Sequence, residues 1–183
     1  MTVRVLENNS LFRPLLLAAA LLIAASLAAN ATQITIVAIG ASNTVGWGTY
    51  GEEVFPAKLE ALLKQQGYDV QVKNAGATGA TTVRMLERLD TSVPDGVKLV
   101  ILQSGVNDYF QGISAEKREA NIEEIIRRLS TRGVTTIRID KMLYALPKQY
   151  LQSDGLHLTA EGHTLIANQL LRPVIDGLGA PAR

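Results

Sequence analysis

Ser42 stands three residues beyond the apolar run Ile34–Ile39, in a stretch, Gly40-Ala-Ser-Asn-Thr-Val-Gly46, that turns abruptly to small and polar residues. A serine hydroxyl is a poor nucleophile until an adjacent base takes its proton, and imidazole suits that task near neutral pH. The chain has 2 histidines, His157 and His163, and both fall within Ser153–His163. Asp154 precedes His157 by three residues, close enough within a loop to fix the imidazole tautomer and stabilise the imidazolium. Acyl transfer also needs donors aimed at the developing oxyanion. The backbone N–H groups of Ser42 and Gly76 and the side-chain amide of Asn107 are candidates for that task.

Other chemistries fit the nucleophile stretch poorly. Gly40 to Gly46 lacks the spacing and the lysine of a phosphate-cradling loop, and Ser42 replaces the second glycine of a dinucleotide fingerprint. Thr44 breaks the G-x-S-x-G nucleophile elbow. Taken one at a time, the candidates have plainer readings. Ser42 and Gly76 are ordinary turn residues, Asn107 suits an Asx turn, and Asp154-Gly155 is a common turn pair. His163 is expected to be structural, because the position three before it is Ala160 rather than a carboxylate. Asp108 is expected to support its loop. Trp47, Tyr50, Tyr109 and Phe110 fit an acyl or aryl pocket no better than they fit packing.

The elements that must position these residues alternate. Apolar runs at Ile34–Ile39, Tyr68–Val72, Lys98–Gln103 and Val134–Ile139 read as strands. Between them lie helical patterns over Glu52–Gln66, from Thr81 or Thr82 to Leu89, and after Ser114, with a last helix after Thr159. Strands alternating with helices predict a three-layer α/β domain with a parallel sheet of four to five strands and helices on both faces. In such a sheet ligands bind beyond the carboxyl ends of the strands, where Ser42, Gly76 and Asn107 all fall.

With 18 Lys and Arg against 17 Asp and Glu, the 183 residues give no support for a nucleic-acid partner or an anionic surface. The absence of cysteine excludes disulfides and thiolate metal sites. Arg4 and Arg13, the apolar Leu15–Leu27 and the Ala29-Asn30-Ala31 site read as a secretory signal over residues 1–31. The remaining residues 32–183 form one domain. The expected destination is the periplasm or the medium, with no stable membrane association once the signal is cleaved.

Gly40-x-Ser42-Asn43, Asn74-Ala-Gly76, Gly105-x-Asn107-Asp108 and Asp154-Gly-x-His157 resemble, in order, the four motif blocks of the SGNH (GDSL-type) hydrolases. The resemblance implies a flavodoxin-like sheet and a serine esterase, thioesterase or lysophospholipase activity on a small-molecule ester, without cofactor or metal. It implies Ser42 as nucleophile, His157 as base and Asp154 as its orienter, with Ser42, Gly76 and Asn107 around the oxyanion. The chain departs from the family at Ala41, where Asp is usual, and at Asn43, where Leu is usual. Loss of the carboxylate predicts a looser nucleophile loop or an altered local field. The short connection Asp140–Ser153 predicts an open acyl pocket and leaves little room for a fifth strand. A carbohydrate acetyl esterase and a non-catalytic binding protein of the same fold are the competing functions.

Overall fold

A computed structural model describes residues 33–181. The secretory signal expected over residues 1–31 and the last two residues of the chain lie outside the described residues. The architecture is a four-stranded sheet in the order β2-β1-β3-β4, comprising β1 (Ile34–Gly40), β2 (Val70–Gly76), β3 (Val97–Leu102) and β4 (Thr135–Arg138). All its pairings are parallel. The α/β sheet expected from the alternating pattern is therefore present, at the lower end of the expected strand number.

Both faces of the sheet are apolar because every second side chain points the same way. From β1, Ile36 and Ala38 pack with Phe55, Leu59 and Leu63 of α2 (Phe55–Gln65) and with Ile166 and Leu170 of the last helix (Ala160–Leu178). Val37 and Ile39 face the other way. They meet Met85 of α3 (Thr82–Glu87), Leu89 of α4 (Leu89–Ser92), and Ile122 and Ile125 of the long helix Ala115–Thr131. The caps expected at Thr81, Ser114 and Thr159 form, each side chain accepting the N–H three residues on. Such a cap typically contributes about 1 kcal/mol. The helix expected to run unbroken to Leu89 is instead interrupted at Arg88.

The register places the site. Gly40 pairs with Gly76, Ile39 with Leu102, and Leu102 with Arg138, so the four strands end level. The segments leaving β1, β2 and β3 thus emerge side by side, where chain order reverses from β2 to β3 across β1. After β4 the chain forms a short helix (Asp140–Tyr144), a 3-10 turn (Lys148–Tyr150) and one antiparallel bridge, Leu151 to Leu158. That bridge is the only β-pairing outside the four strands among the described residues. No described helix is long and apolar enough to cross a membrane.

Candidate active site

Ser42 opens α1 (Ser42–Val45), a single helical turn that starts straight off β1. The turn is tight enough to require glycine before it, since a Cβ on Gly40 would fall 2.0 Å from Thr44 Oγ1 and 2.6 Å from Gln103 Oε1. Buried Gln103, just past β3, holds this turn. Its Oε1 accepts the Ala41 N–H at 2.8 Å and the Thr44 hydroxyl at 2.9 Å. From β2, Asn74 Nδ2 donates to Thr44 O at 2.6 Å. Ala41 itself is buried in the apolar cluster with Ile39 and Ala80. Where the family usually has a carboxylate, the turn is held by the neutral amide of Gln103 just past β3. Gln103 was legible only as a polar residue closing an apolar strand.

His157 sits on the hairpin closed by the Leu151–Leu158 bridge. Its Nδ1 lies 2.6 Å from Asp154 Oδ2, and the other carboxylate oxygen accepts the backbone N–H groups of Leu156 and His157. The hydrogen bond from the imidazole, helped by those two N–H groups, lowers the Asp154 carboxyl to about 2. Asp154 is thus ionised throughout the neutral range, which fits the tautomer with the proton on Nδ1 and leaves Nε2 a free base. No hydrogen bond joins Ser42 Oγ to His157 among the described residues. The two are linked instead through Asn43, whose Nδ2 donates to Leu156 O at 3.1 Å and whose Oδ1 accepts the Leu158 N–H at 2.9 Å.

The remaining oxyanion candidates are present but partly engaged. Gly76 N–H donates to Asn74 Oδ1 at 3.0 Å. A Cβ on Gly76 would lie 2.5 Å from Val45 N, so the glycine is needed for close packing against α1 rather than against a ligand. Asn107, in α5 (Val106–Phe110), donates one amide hydrogen to Ala80 O at 3.0 Å and keeps the other. Its neighbour Asp108 is buried and accepts both the N–H and the hydroxyl of Thr82, the supporting part expected of it. His163 is structural as expected. It is fully buried, stacks on Phe55 and accepts the Phe55 N–H at its Nδ1. Burial, with some help from the Lys58 cation, pushes it down to about 4.

Beside Asn43 a cavity of about 170 Å³ opens among Gly105, Val106, Leu143, Leu146, Leu151 and Leu156. None of the four aromatics singled out in the sequence lines it. Trp47, Tyr50, Tyr109 and Phe110 are exposed, and Tyr144 at the cavity wall is a fifth exposed ring that the sequence did not single out. Trp47 stands with its ring centre 5.9 Å from that of His157. No cluster of three or more His, Cys, Asp or Glu side chains among the described residues is placed to hold a metal ion. Chemically the arrangement offers a hydroxyl, an oriented imidazole and an amide donor at one sheet edge.

Comparison with known proteins identifies the family. The family described as GDSL-like lipase/acylhydrolase matches residues 38–148, a span that stops short of Asp154 and His157. An arylesterase of Vibrio mimicus is 29% identical over 114 residues, 60% of this chain and 56% of the relative. Esterase TesA of Pseudomonas aeruginosa is 26% identical over 104 residues, 56% of this chain and 52% of the relative. The chain thus spans about half the length of each of these relatives. The crystal structure of the lipase/acylhydrolase from Enterococcus faecalis superposes with a TM-score of 0.68, covering 82% of this chain and 99% of that one. At 22% identity that likeness speaks for the fold alone.

Proposed function

Since this chain belongs to the GDSL-like lipase/acylhydrolase family, we propose that it is a serine esterase acting on small acyl or aryl esters, through an acyl-enzyme on Ser42. The observation that carries this reading is the Asp154–His157 contact of 2.6 Å, on a hairpin bonded to the residue next to Ser42.

In the acylation step Ser42 Oγ attacks the ester carbonyl carbon while His157 Nε2 takes its proton. The oxygen of the tetrahedral adduct gathers negative charge, and the free hydrogen of the Asn107 amide and the Ser42 N–H are the donors proposed for it. Gly76 N–H joins them once it turns from Asn74. The adduct collapses by breaking the bond to the alkoxy oxygen, which leaves as the alcohol with the proton from His157. Water then attacks the acyl-Ser42 ester by the same route in reverse, releasing the acid and restoring the serine hydroxyl. Asp154 remains ionised throughout and favours the transient imidazolium.

The cavity of about 170 Å³ beside Asn43, with Leu143, Leu146, Leu151 and Leu156 in its wall, supports a short acyl group rather than a long chain. The basic, then apolar residues 1–31 support export to the periplasm or the medium, which cell fractionation with N-terminal sequencing of the recovered protein would test. For the activity, p-nitrophenyl esters from acetate to decanoate are compared between the wild type and Ser42→Ala. Turnover lost in the variant, with covalent labelling of Ser42 by an organophosphonate, is the expected result. Equal turnover by both would favour a non-catalytic binding protein of this fold.

A further inference from the structure

The hairpin that carries His157 does not follow a strand of the sheet, so no strand pairing fixes its distance from Ser42; Leu158 anchors it only by apolar packing against β1 and β3. Asp154 cannot fix that distance. All three of its hydrogen bonds return to its own hairpin, to Leu156 N–H, His157 N–H and the His157 ring. It orients the imidazole within the hairpin and leaves the hairpin free to ride over the nucleophile.

We infer that Asn43, seconded by Gln152, is the positioning residue that sets the base against the nucleophile. Asn43 is buried, and its amide donates to Leu156 O and accepts from Leu158 N–H, gripping the backbone on both sides of His157. Because Asn43 follows Ser42 within the same helical turn, the peptide bond between them carries the position of one to the other. Gln152 closes the second side. Its Nε2 donates to Trp47 O at 2.7 Å and to Leu158 O at 2.8 Å, tying the end of the nucleophile turn to the end of the hairpin. Its backbone N–H donates to His157 O at 2.7 Å. The two amides together do the work that a fifth strand would do by its pairing.

This inference rests on the esterase reading for its kinetic arm and is independent of it in its structural arm. A displacement of about 1 Å between reacting groups costs about 10²-fold in rate. On p-nitrophenyl acetate, Asn43→Ala is expected to lower kcat by about 10²-fold with KM within about threefold of wild type. Gln152→Ala is expected to lower kcat by about tenfold. The structural arm is the NMR cross-peak between the Trp47 and His157 rings, whose centres are 5.9 Å apart. The cross-peak is expected in wild type and in Ser42→Ala, and lost in Asn43→Ala, while the His157 Nδ1 proton bonded to Asp154 is still seen.

A kcat within threefold of wild type, or a cross-peak retained in Asn43→Ala, overturns the inference. If wild type turns over no better than Ser42→Ala, it is the esterase reading that has failed, and the cross-peak alone decides the clamp. Should Asn43→Ala not fold, Gln152→Ala carries both arms. There an unchanged kcat or an unweakened cross-peak overturns the inference.

Discussion

Ala41 and Gln103 meet across the two central strands, the backbone N–H of the first donating to the side-chain oxygen of the second at 2.8 Å. The same oxygen accepts the Thr44 hydroxyl, so one buried amide holds both ends of the turn that presents Ser42. Replacing it leaves two donors buried without an acceptor, each costing about 1–3 kcal/mol. Gln103→Leu is therefore expected to lower stability by about 2–6 kcal/mol in urea unfolding. Activity per folded molecule is expected to fall as well. A variant as stable as the wild type would show that the turn is held by other contacts.

Asn107 keeps one amide hydrogen free while Ala80 O takes the other. Removing a single oxyanion donor costs about 10²–10³-fold in kcat in enzymes of this type. Asn107→Ala should show that loss with little change in KM. A loss of less than about tenfold would assign the oxyanion to the backbone donors alone.

Asp154 sits at about 2 because the imidazole and two backbone N–H groups stabilise its charged form. A lowered carboxyl titrates only in strong acid, so Asp154 stays ionised between pH 5 and 8. Asp154→Asn keeps an acceptor for the backbone but removes the charge and favours the wrong imidazole tautomer. Its kcat should fall by about 10³–10⁴-fold. A small effect in the steady-state rate would move the orienting role elsewhere.

His163 gives stability its own pH dependence. Its folded value of about 4 lies below the ordinary 6.5, so between these values the unfolded chain holds a proton that the folded one does not. Stability from this group is complete above about pH 6.5, declines as pH falls, and levels off below about 4, by about 3 kcal/mol in all. Urea midpoints at pH 5 and 7.5 would reveal the slope, and His163→Asn should flatten it. An equal slope in the variant would place the titration on other groups.

The strands and both packing faces could be read from the chain because their signal is local: alternating or continuous apolar runs, capped helices and a glycine at each abrupt turn. Ser42, Gly76, Asn107, Asp154 and His157 could be picked out because their residue types are chemically specific and follow predicted strands. What the chain did not disclose was how the pieces are held. Gln103 and Asn43 act across 62 and 113 or more residues respectively, and no periodicity encodes a contact of that range. The reason for Gly76 was also hidden, since the backbone it must approach belongs to a turn far back in the chain. The chain between Asp140 and Ser153 gave only weak patterning because it forms short turns and a single bridge rather than a strand.

The nearness of Trp47 to His157 has an optical consequence. The sequence contains 1 tryptophan, so all indole emission from this protein originates beside the imidazole. Acylation of Ser42, which changes the surroundings of that imidazole, should therefore disturb the intrinsic emission. The protein carries its own dye at the mouth of its site.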